Sequence, residues 1–73
     1  MTKSKKVEIG KKFCDAFNNE NNFVYEVLNF FVRDGIKEVR IGVRIGESVM
    51  IYEFNTKLND FLSDIKKGVL KSL

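Results

Sequence analysis

The most regular pattern in the chain is an alternation. Val39, Ile41, Val43 and Ile45 are apolar, and Glu38, Arg40, Gly42 and Arg44 fall between them. A period of two marks a half-buried strand. The segment Ser48 to Phe54 follows the dipeptide Gly46-Glu47. A two-residue loop with Gly first fits a type II′ hairpin turn, whose twist matches the strands it joins. That turn pairs residue 45 with 48, 43 with 50, 41 with 52 and 39 with 54. One face then carries Val39, Ile41, Val43, Ile45, Met50, Tyr52 and Phe54. The other sets Arg40 opposite Glu53, Gly42 opposite Ile51 and Arg44 opposite Val49.

Elsewhere the spacing follows the helical period. Over Lys5 to Asn18, Ile9, Phe13, Ala16 and Phe17 fall on one side, and Glu8, Lys11, Lys12 and Asp15 on the other. This predicts a first helix; the alternation of Val7 and Ile9 leaves a short strand at residues 5–9 as the rival. Asn18-Asn19-Glu20-Asn21-Asn22 breaks the pattern, and Asn21 or Asn22 suits an N-cap. From Phe23 to Arg33 the polar residues are Glu26, Asn29 and Arg33, a narrow stripe at i, i+3 and i+7. That spacing predicts a second helix, apolar around most of its circumference and stopped by Asp34-Gly35. Leu58, Phe61, Leu62, Ile65 and Val69 form the stripe of a third helix over Lys57 to Lys71, capped by Asn55 or Thr56.

The expected fold is therefore α+β, in the order α-α-β-β-α, with one antiparallel hairpin packed against helices. It makes a single small domain over residues 1–73, frayed at 1–4. The hairpin has open edges and the second helix needs cover on nearly every side. Both point to completion by homodimerisation.

Composition narrows the chemistry. The chain has no His, Pro, Trp or Gln and one Cys. Without His, no Ser-His-Asp or Cys-His nucleophile can be built. One Cys makes neither an internal disulfide nor a cysteine zinc site. Cys14, at the margin of an apolar face, reads as a packed, inert thiol. Asp60 and Asp64 read as a solvated pair on the last helix. No cofactor motif, metal site or small-molecule substrate site is expected, and an enzyme is the least supported class. No run approaches the ~18 apolar residues of a membrane span, and no apolar segment follows the basic N-terminus. With a lone Cys, this leads to the expectation of a cytoplasmic protein. Lys, Asn, Ile and Phe, all encoded by AT-rich codons, supply 30 of the 73 residues. That fits a low-GC bacterium, its phages or another mobile element.

The formal charge is +3, but it is unevenly placed. Residues 1–12 hold five Lys against Glu8, and residues 66–73 hold Lys66, Lys67 and Lys71 with no acid. The segment between them is acidic, with nine acids against five bases. This weakens the argument for a broad cationic face. The leading expectation is thus a small regulatory protein that binds a larger protein partner. Tyr25, Phe30, Phe31, Val49 and Ile51 are its candidate dimer or partner contacts. The alternative is a nucleic-acid-binding regulator that uses Arg40 and Arg44 on the hairpin, with Gly42 permitting close approach, and Lys5 and Lys6 in the basic N-terminus.

Overall fold

The segment Phe23–Arg33 is a strand, and most of the architecture follows from that. Val24, Val27 and Val32 are β-branched, and Phe23, Tyr25, Phe30 and Phe31 are aromatic, so seven of its eleven residues favour a pleated surface. Its helix-like polar spacing has a different origin. The strand is regular through Val27 and again from Asn29, so Leu28 is an extra, bulged residue. A bulge moves the alternation by one position. Glu26 on one side of it and Asn29 and Arg33 on the other thereby share a single sheet face.

The computed structural model describes residues 7–17 and 22–73. Residues 1–4, expected to fray, Lys5 and Lys6, and most of the Asn-rich break lie outside the described residues. Among those described, five strands and one helix follow in the order β1 (Lys12–Asp15), β2 (Phe23–Arg33), β3 (Ile36–Ile45), β4 (Met50–Lys57), α1 (Leu58–Lys66) and β5 (Leu70–Ser72). The strands form one antiparallel sheet in the order β4-β3-β2-β1-β5. The α+β expectation of an α-α-β-β-α order is overturned: the first two helices are strands, and the hairpin belongs to a five-stranded sheet that makes up most of the molecule.

Each correction has a local cause. Gly10, in the middle of the first expected helix, has φ +93°, outside the right-handed helical region. The chain turns there, with Gly10 N–H donating to Val27 O at 2.8 Å, and only then enters β1. Asp34 and Gly35 both have positive φ, at 54° and 77°, between the paired residues Arg33 and Ile36. That is the type I′ hairpin pattern, for which Asp-Gly is a favoured dipeptide, rather than a helix stop. The third helix ends early. Gly68 (φ +83°) donates to Ile65 O at 3.1 Å and Val69 N–H to Asp64 O at 2.9 Å. This paired bonding is a Schellman motif, and it releases the chain into β5. No side chain caps the start of α1 at Lys57.

The β3–β4 hairpin turns at Gly46-Glu47, with Gly46 at φ +61° and Ser48 N–H donating to Ile45 O at 3.1 Å. Its register differs from the expected one. Val43 pairs with Tyr52, Ile41 with Phe54 and Val39 with Thr56, while Arg44 pairs with Met50. Ile51 is the extra residue. Faces are kept below the bulge, but every pair there slips by two.

Helix α1 crosses one face and links the two edges, β4 and β5. Phe61 of the helix and Phe13, Val27, Val39 and Ile41 of the sheet form the buried core between helix and sheet, with Val7, Tyr25, Phe30, Leu58, Ile65 and Leu70 packed around it. Phe61 meets Phe13 edge to face, with ring centroids 5.4 Å apart. The opposite sheet face has no element over it among the described residues.

Candidate interaction surface

The expected contact residues divide into separate groups. Tyr25 and Phe30 pack against the core under α1. Phe31, opposite Glu38, is half-buried on the other face. These three therefore do not form one surface, and they do not join Val49 and Ile51. Those two lie at the β3–β4 end, where Val49 is 78% and Ile51 46% exposed.

Residues not singled out from the sequence complete that end. Ile45 is exposed beside the turn, and Tyr52 and Phe54 are exposed on β4. The Tyr52 and Phe54 rings lie 6.2 Å apart on the helix side of the sheet. Both were legible as apolar-face residues. Their exposure was not, because it arises from β4 being an edge strand beyond the cover of α1.

The uncovered face is a lattice of charges. Arg44 Nε donates to Glu26 Oε1 at 2.8 Å, and its Nη1 to Ser48 O at 3.2 Å. Arg40 Nε donates to Asn55 Oδ1 at 3.2 Å, with Glu53 at 3.8 Å. Arg33 reaches the nearly buried Glu38 through Nη2, at 3.0 and 3.2 Å. The space over Gly42 is already filled: a Cβ built there would stand 2.7 Å from the Met50 methyl and 3.0 Å from Leu28 Cδ1. Gly42 therefore admits these side chains to the sheet, which removes the close approach of a nucleic-acid backbone at this point. Lys12, Lys57 and Lys71 are on the same face and have no ion pair among the described residues.

A hollow of ≈ 540 Å³ opens on this face, lined by Lys12, Asn22, Val24, Arg44, Gly46, Glu47 and Leu73. It holds charges of both signs. Cys14 is half-buried, opposite Val24 and Lys71. Tyr25 has its phenol pKa raised above 10.0, first by burial, then by the negative charge of Asp15 and by Tyr52. No group of three or more Cys, Asp or Glu among the described residues could hold a metal ion. No helix among them is long and apolar enough to cross a membrane. Compared with protein-family models, curated proteins and solved structures, the chain matches none.

Proposed function

We propose that the protein is a small, non-enzymatic interaction protein that docks on a larger protein through its β3–β4 end. The observation that carries this reading is that Ile45, Val49 and Ile51, at the turn end of the β3–β4 hairpin, are all exposed, as is Tyr52 next along β4. Exposed apolar side chains gathered in one place mark contact surfaces, and a few of them usually dominate affinity. A pair of aspartates here tests the reading. The Val49→Asp, Ile51→Asp variant should keep the wild-type urea midpoint, since neither side chain belongs to the buried core. Immobilised wild-type protein should retain from a lysate of the native host a protein that the variant does not. Identical retention by both, from proteins equally folded, would refute the reading.

A second reading, contact with nucleic acid, is supported by the balance on the uncovered face. Lys12, Lys57, Lys71, Arg33, Arg40 and Arg44 stand there against Glu26, Glu38 and Glu53. The arginines are engaged by carboxylates, so the three lysines would carry the contact. Binding of this kind must weaken steeply as salt rises. An absence of any shift of labelled single strand or duplex at low salt removes it.

A further inference from the structure

We infer that β4 pairs with β4 of a second copy of this chain, antiparallel and about a two-fold axis through Asn55. The two edges of the sheet are unequal. β5 has three residues, whereas β4 has eight, Met50–Lys57, and among the described residues no strand pairs with its outer side. An open edge of that length is a template for another strand unless something guards it. The bulge at Ile51 guards the upper part. The regular run left is Tyr52 to Lys57, after which the chain turns into α1.

A symmetric antiparallel pair must place residues of like facing opposite one another, so the axis passes through a residue. An axis through Phe54 matches no charges, because it sets Glu53 against Asn55 and Lys57 against the bulge. The axis through Asn55 sets Glu53 against Lys57 of the second copy, and Lys57 against its Glu53. Both residues lie on the uncovered face, paired with Gly42 and Glu38 of β3, so the two ion pairs form on the same side of the joined sheet. On the helix side Phe54 then faces Thr56 of the second copy. The same charges that discourage other strands thus select one partner and one register.

The joined sheet would leave the β3–β4 ends free. Val49 lies six residues from the axis, or about 20 Å at ~3.3 Å per residue. The dimer would therefore present two copies of the proposed docking end, one on either side of the axis. The inference stands without that reading, since it uses the opposite half of β4.

Charge reversal tests it. At tens of micromolar the wild-type chain of 8.5 kDa should weigh twice its mass in light scattering. Glu53→Lys and Lys57→Glu should each dissociate more readily, on the order of tenfold, because each replaces two attractions by two repulsions. The double variant should recover the dimer. Asn55 supplies a second test that avoids both residues. Asn55→Lys and Asn55→Glu should each weaken self-association, and a mixture of the two should form the heterodimer. A wild-type mass of 8.5 kDa at all concentrations would overturn the inference and leave the docking end to be tested by capture. So would a dimer indifferent to the reversals, or a folded double variant that stays monomeric.

Discussion

Gly42 lets two flexible side chains lie against the uncovered face, because Met50 and Leu28 occupy the volume a Cβ would need. Its φ is ordinary, so the cost of a side chain there is steric. Gly42→Val should push both side chains aside, and because each contact is with the end of a flexible side chain on an open face, the loss should stay below the ~1–3 kcal/mol of core overpacking. A lowered urea midpoint, with the Met50 methyl resonance displaced, checks this. Glu38 makes the opposite demand. It is 9% exposed and its charge is met by Arg33, which is largely in solvent. Arg33→Met should cost about 1–3 kcal/mol by leaving a nearly buried carboxylate without its partner. Glu38→Leu added to it should recover much of the loss, which a double-mutant cycle measures. Tyr25 links stability to pH at the alkaline end. Its phenol pKa is raised above 10.0 in the folded chain, so the unfolded chain gives up the proton first. The fold therefore loses stability as pH rises above about 10, and nothing from this group below it. Urea midpoints at pH 9 and 11 should fall less in Tyr25→Phe than in the wild type.

At the scale of elements, the phase of α1 is the simplest to test. Phe61 is 4% exposed against Phe13, and its neighbour Leu62 is 40% exposed. Phe61→Ala should cost about 3–5 kcal/mol, and Leu62→Ala far less. Equal losses by chemical denaturation would mean that the helix is seated on another face. The stripe that predicts this helix was legible because Leu58, Phe61 and Ile65 do pack on the sheet. The β3 alternation was legible for the same reason, since Val39, Ile41 and Val43 are buried. The second segment was not, and its failure is specific. An extra residue at Leu28 converts a period of two into polar positions at 26, 29 and 33, which coincide with one side of a helix. Composition held the missing signal: Val, Phe and Tyr dominate that run, and Asp34-Gly35 is as good a hairpin turn as a helix end. The second bulge, at Ile51, is silent in the sequence, so the register of β4 slipped by two while Tyr52 and Phe54 kept their face, and Met50, expected beside them, lies on the opposite face. Exposure of Tyr52 and Phe54 depends on strand order, which no local pattern specifies.

Over the whole molecule, the elements differ in how many neighbours hold them. β2 and β3 are central and pair with each other over nearly their full length, from Phe23↔Ile45 to Arg33↔Ile36. β1 and β5 share three residue pairs, and β5 is held to the rest by that short ladder, by Leu70 at the margin of the core and by its link to α1. Backbone amides open in units set by such contacts, at free energies from near zero up to that of global unfolding. The largest fully buried side chains, Ile41, Val27, Val39 and Val43, all lie on the two central strands. Amide exchange should therefore be slowest at the bonded positions of β2 and β3, at the limit set by global unfolding. β5 should exchange faster through a local opening that leaves β2–β4 intact, and its rate should respond weakly to urea because that opening exposes little surface. A β5 that exchanges as slowly as β3, with the same urea dependence, would instead mean that the two edges joined by α1 open only when the whole sheet does.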